Sequence, residues 1–171
     1  MNIRLFLTLA LAALVVSGCG QKDSATAGAT AAAPAAAAAP AAAPAGPRVV
    51  EITGNDTMKY SLTTIEAKAG EEIKVILTNA GTMPKEAMGH NWVLLKAGSD
   101  AMAFATVAMT AKDTDYIPAS LKDQVIASIG LLGPRKSGEV TFKAPAPGEY
   151  PFLCTFPAHY AVGMKGTLIV K

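Results

Sequence analysis

Beyond Arg48 this chain has no room for long elements. Runs of strand length, rich in β-branched and aromatic residues, alternate with turns built on glycine and proline. Val49-Val50-Glu51-Ile52-Thr53 stops at Gly54-Asn55-Asp56, and Tyr60–Lys68 stops at Ala69-Gly70. Gly133-Pro134 and Pro145-Ala146-Pro147-Gly148 cut the C-terminal part. Ile73, Val75 and Leu77 alternate with polar residues, the pattern of a half-buried strand. Further strands are expected at His90–Leu95, Val125–Ile129, Gly138–Phe142, Glu149–Cys154 and Gly166–Val170. Only Ser99–Lys112 departs from this: Ala101, Phe104, Ala105 and Ala108 recur at helical spacing behind Ser99 as a possible cap. Many short strands with turn signals predict an all-β sandwich or barrel, here with one short helical insertion.

The preceding residues have a different texture. Between residues 25 and 46 there are 15 alanines, interrupted by Pro34, Pro40 and Pro44. Proline breaks the helix that alanine favours, and without polar contrast no apolar face can form. Residues 19–47 therefore read as a spacer, coiled or partly polyproline. Over such a length a flexible coil spans about 30 Å and an extended polyproline form about 90 Å. Before it, Arg4 is followed by an apolar run from Leu5 to Val16. This run falls short of the roughly 20 residues a membrane-crossing helix needs, and it fits the core of a signal peptide over residues 1–18. Val16-Ser17-Gly18-Cys19 then resembles the lipobox of bacterial lipoproteins. That resemblance implies cleavage before Cys19, lipidation of its sulfur, and an exported domain facing the periplasm or the cell exterior.

From Arg48 onward 13 basic residues face 12 acidic ones. So even a balance lacks the concentrated positive field that phosphate backbones require, and nucleic acid is not an expected partner. The domain at 48–171 holds one cysteine, so no internal disulfide is available and a hydrophobic core must carry the fold.

That one cysteine and both histidines of the chain fall into a pattern. Cys154, His159 and Met164 share a single predicted loop between two strands. His90 opens a strand far upstream, directly after Gly89. Two imidazoles and a thiolate with a weak axial thioether make a blue-copper electron-transfer site. Thiolate and thioether suit Cu(I), while imidazole tolerates both oxidation states. The motif uses every histidine and the only cysteine of the domain.

Longer stretches point the same way. Gly54-Asn55-Asp56, Met83-Pro84-Lys85, Met88-Gly89-His90-Asn91-Trp92-Val93-Leu94, Cys154-Thr155-Phe156-Pro157 and Met164-Lys165-Gly166-Thr167-Leu168 resemble the cupredoxins, azurin and auracyanin in particular. The resemblance implies a Greek-key cupredoxin barrel. It implies copper held by His90, Cys154, His159 and, weakly, Met164, with the Gly89 carbonyl near the opposite axial position. Asn91 is then expected to hydrogen-bond across to the segment bearing Cys154, and a backbone N–H near Phe156 to point at the sulfur. Four residues separate His159 from Met164, where azurin has three, and Ala158 stands where azurin has glycine. The His159 ring edge is expected at the surface among Met83, Pro84, Met88, Pro157, Ala158, Ala161 and Val162, an apolar docking face. Redox proteins such as a cytochrome c or a copper or haem reductase are the implied partners. Trp92, Met102 and Met109 are expected to be packing residues.

Two other readings use the same side chains. Cys154 and His159 as nucleophile and base would make an enzyme, but Met164 and His90 would then be unexplained; no enzymatic activity is expected. Copper storage or delivery is the alternative to electron transfer.

Overall fold

The computed structural model describes residues 46–171. The expected signal segment at 1–18, Cys19, and the expected spacer up to residue 45 lie outside the described residues. The strands are β1 (Arg48–Gly54), β2 (Thr64–Ala67), β3 (Glu72–Asn79), β4 (His90–Leu95), β5 (Val125–Leu132), β6 (Ser137–Lys143), β7 (Gly148–Leu153) and β8 (Lys165–Val170). They form a three-stranded sheet, β1-β3-β6, and a five-stranded sheet, β2-β8-β7-β4-β5. β1 pairs parallel with β3 and β2 parallel with β8; the other pairings are antiparallel.

Alternation sets which side chains enter the space between the sheets. β1 buries Val50 and Ile52, and β3 buries Ile73, Val75 and Leu77. Their register places Val50 opposite Val75 and Ile52 opposite Leu77. These meet Trp92, Leu94, Phe152 and Leu168 from the other sheet in one core. Trp92 packs between Phe142 and Phe152, with ring centroids 6.1 and 5.5 Å away.

β4 does not alternate: all six of its residues are buried. It lies between β7 and β5, and its outer face is covered by the helical insertion. Val93, Leu95 and Leu153 pack there against Phe104 of helix α2 (Ala101–Ala108), with Ile117, Leu121 and Tyr160 around them. Burying a side chain like Phe104 contributes about 1.5–3 kcal/mol. The insertion thus holds down the strand that begins with His90.

Three local expectations need correction. Of Tyr60–Lys68, only Thr64–Ala67 is a strand. The turn before it is closed by Asn55, whose carboxamide oxygen accepts from the Thr57 N–H and hydroxyl, and Tyr60 only bridges back to Gly54. The helix cap is Asp100 rather than Ser99, because its carboxylate accepts from the N–H groups of Met102 and Ala103. The helix also ends at Ala108, and the chain tightens into a 3₁₀ turn at Lys112–Thr114, a second following at Ala119–Gln124. A helical turn α1, Lys85–Met88, adds to the single insertion expected; Pro84 precedes it and Gly89 follows it.

Candidate metal centre

Two parts of the chain supply the site. His90 is the first residue of β4. Gly89 before it is tightly enclosed: a Cβ there would lie 2.7 Å from the Lys85 carbonyl oxygen and 2.8 Å from Leu131 Cγ. Cys154, His159 and Met164 all lie on the connection from β7 to β8. The connection is closed by its own backbone. Cys154 N–H donates to the Met164 carbonyl at 3.0 Å, Met164 N–H to that of His159 at 2.9 Å, and His159 N–H to that of Phe156 at 3.1 Å. Ala158 pays for this tightness with a left-handed φ of 69°, a region that costs a non-glycine residue roughly 1–2 kcal/mol.

The donors converge. His90 Nδ1 lies 3.3 Å from His159 Nδ1, which lies 3.5 Å from Cys154 Sγ. One donor atom from each residue falls within 4.8 Å of the other two. Nitrogens about 2.0 Å from a common trigonal centre sit about 3.5 Å apart, and a sulfur at about 2.3 Å sits slightly farther from each. The observed spacings fit one metal ion. His90 and Cys154 are fully buried and His159 is 2% exposed. Met164 is also fully buried, and its methyl and the His90 ring both lie against Gly54: a Cβ there would come within 2.6 Å of Met164 Cε and 3.2 Å of His90 Cδ2. Sequence-distant residues are thereby brought to one place.

Burial also sets the charge of the donors. It raises the Cys154 thiol to about 12, against backbone hydrogen bonds from Asn91 and Phe156 that lower it. Burial, then the neighbouring His90, lowers His159 to about 4; burial lowers His90 as well. Neutral imidazoles have free lone pairs for a metal, and a metal binding the sulfur must displace its proton. A cation would relieve the unfavourable burial of a thiolate. The soft thiolate and thioether beside two imidazoles are a donor set for copper.

The family "Copper binding proteins, plastocyanin/azurin family" matches residues 48–171. The chain belongs to that family. It is 41% identical to an azurin of Pseudomonas denitrificans over 71% of this chain and 97% of that protein. It is 36% identical to auracyanin-B of Chloroflexus aurantiacus over 67% of this chain and 48% of the relative, so it spans about half of that protein. Among solved structures, the dithionite-reduced auracyanin of Roseiflexus castenholzii superposes with a TM-score of 0.66 at 38% identity, covering 74% of this chain and 99% of that one. The fold is that of the cupredoxins.

Around the donors of this cupredoxin a second layer of polar groups is paired through Asn91, although His90 Nε2 and Trp92 Nε1 are buried without a hydrogen-bond partner. Asn91 Nδ2 donates to the Thr155 hydroxyl at 2.6 Å and to the Asp115 carbonyl at 2.8 Å. Its Oδ1 accepts from Thr155 N–H at 2.8 Å. One side chain thus ties β4 to the segment after Cys154 and to the insertion. The Tyr60 hydroxyl donates to the Asn91 carbonyl at 2.5 Å. Phe156 lies between Tyr116, which it meets edge-on, and the His159 ring, which is tilted against it, with ring centroids 5.1 and 4.7 Å away. Tyr60, Asp115, Tyr116 and Gly54 were not legible as contributors from the sequence; only the Gly54-Asn55-Asp56 turn gave any signal.

Two surface expectations change. The His159 ring scarcely reaches solvent, because Phe156 covers one of its faces. Met102 and Met109 are not packed in the core but are 53% and 49% exposed. They line a hollow of about 120 Å³ between α2 and the ligand connection, with Phe156, Ala158 and Tyr160 on its other wall. Trp92 is fully buried, as expected. Met83, Pro84, Ala158, Ala161 and Val162 are exposed.

Proposed function

We propose that this chain is a blue-copper electron carrier tethered to a bacterial membrane. One observation supports it above others: a thiol sulfur and two ring nitrogens are already at metal-binding spacing, buried, in a chain of a copper-binding family. His90, Cys154 and His159 would hold the ion, with the Met164 thioether and the Gly89 carbonyl as weaker donors beside them. Bound there, copper supplies a one-electron couple between Cu(I) and Cu(II). The protein's part is to keep the donors fixed in both states. The Asn91 network and the closed β7–β8 connection do this, so little rearranges when the charge changes. Phe156 and the surrounding chain exclude water and substrates from the donors. Nothing in this arrangement favours enzymatic chemistry.

Electrons would enter and leave through the thin cover over His159. The exposed apolar residues Met83, Pro84, Ala158, Ala161 and Val162 flank the ligands and would offer a mostly apolar patch, with the Lys59 ammonium beside Val162, suited to short-lived docking of a redox protein such as a cytochrome c or a haem or copper reductase. The tether would come from lipidated Cys19 through the Ala/Pro spacer. It would join β1 at Arg48, whereas the far end of β1, Gly54, touches Met164 and His90. The point of attachment would then be the end of β1 remote from the metal donors, on a domain facing the periplasm or the cell exterior.

The test is direct. Copper-loaded protein should show an intense visible sulfur-to-copper band and fast electron self-exchange. Cys154→Ser should abolish the band while circular dichroism stays unchanged. A band that survives would remove Cys154 from the ligand set, and rapid loss of Cu(I) to a mild chelator would favour storage or delivery. Mass spectrometry of the membrane-extracted protein should find a lipid on Cys19; an unmodified N-terminus would remove the tether.

A further inference from the structure

We infer that Lys59 is a positioning residue for the axial side of the metal centre: its ammonium pins the connection that carries Met164 to the turn after β1. The inference rests on the copper reading above. The turn from Gly54 to Tyr60 touches the centre at three points. Gly54 lies against the Met164 methyl and the His90 ring, and the Tyr60 hydroxyl holds the Asn91 carbonyl. Between these two, Lys59 Nζ donates to the Val162 carbonyl.

That carbonyl belongs to a peptide held at both ends: Gly163 N–H donates to the Tyr160 carbonyl at 3.0 Å, and Lys59 holds the Val162 oxygen. Val162 is 43% exposed, so burial does not anchor it. Gly163 next to it takes a left-handed φ of 99°. A Cβ at Gly163 would lie 2.5 Å from Lys59 Nζ, so the ammonium occupies the space a side chain would need. The residue that follows is Met164. Met164 is itself tied to His159 and Cys154 through its backbone, and Lys59 completes this closure by fixing the Val162–Gly163 peptide that leads into it, and with it the approach of the thioether. A hydrogen bond from a cation is roughly twice as strong as one between neutral groups. The axial ligand tunes the potential of a blue-copper site, so a surface lysine that sets its placement acts on the couple without touching the metal.

The experiment compares Lys59→Met, Lys59→Gln and Lys59→Arg in the full chain, with and without Cu(II). Lys59→Met keeps the aliphatic stem and removes the donor. In the metal-free protein it should speed amide exchange across residues 160–164 by about tenfold, the loss of one charge-assisted bond. With copper it should still bind one equivalent, but with a changed ratio of visible bands, an altered copper hyperfine splitting and a shifted midpoint potential. Lys59→Arg should restore all of these. Lys59→Gln, a neutral donor, should restore exchange in part, which separates the strut from a through-space charge. Unchanged exchange and an unchanged spectrum in Lys59→Met would overturn the proposal. So would a potential shift, with normal exchange, that vanishes in high salt, since it would leave only the charge. A colourless wild-type protein would sink the copper reading alone; the metal-free exchange data would still decide the strut.

Discussion

The two poles of the barrel are both polar, yet they are built on opposite principles. At the end where β1 begins, Arg48 pairs with Glu71 at 2.5 Å and Lys171 with Glu66 at 3.0 Å. These side chains all reach solvent, from 26% exposed for Glu71 to 66% for Lys171. At the other end His90, Asn91, Cys154, Thr155 and His159 are almost wholly buried. Water can replace any partner lost at the first pole. At the second it cannot, so each polar atom there must find a protein partner or a metal. Surface ion pairs contribute roughly 0–1 kcal/mol, whereas an unpaired buried group costs about 1–3 kcal/mol. Precision therefore belongs to the metal pole, and tolerance to the other.

Asn91→Ala should break that contrast most visibly. It would strand Thr155 N–H and the Asp115 carbonyl at once, for a loss of about 3 kcal/mol measured by denaturant unfolding. A loss below about 1 kcal/mol would mean the pole is wetter than its burial indicates.

Acid should find the same weakness in the metal-free protein. Folding lowers both histidines, His159 from 6.5 to about 4, so between those values the unfolded chain binds protons that the folded chain refuses. Stability should then fall as pH falls through that window, and level off once the pH is below the folded value. Thermal midpoints across the window give the slope; a flat profile would show histidines that titrate normally. Half-buried Asp56 and Glu71 are held low by hydrogen bonds from Thr82 and Arg48 respectively, and lose their pairing only in more acid solution.

Relief of strain sharpens the comparison from the other side. Ala158→Gly should stabilise the fold by about 1 kcal/mol in thermal or denaturant unfolding, because glycine accepts the left-handed conformation freely. Smallest of all should be Lys171→Ala at the ion-pair pole, within about 0.5 kcal/mol of wild type. A larger loss would make that pole structural after all.

How much of this was legible beforehand varied with the range of the interaction. Strands β3 and β4 were readable to within a residue or so, because the alternation of β3 and the glycine that precedes β4 are local signals. The Tyr60–Lys68 strand was overestimated since Tyr60 is spent on Asn91, far away in sequence. Met102 and Met109 have helical spacing, which locates them on one helix but not on its covered face; Phe104 and Ala108 took that side. His159 looked like a surface ring until Phe156 was seen to cover it.

The sequence by itself determined the chemistry. With one cysteine in the domain at 48–171, two histidines and a methionine at the end of a short connection, the donor set had few alternatives. It also determined the all-β class, through strand-length runs and their turns. Only the tertiary structure decided how the donors are held: that Gly54 makes room for Met164 and His90, that Asn91 joins three segments, and that Lys59 reaches the Val162 carbonyl. Residue identity carries the reactivity of an atom, whereas its pairing depends on segments that meet only when the two sheets close.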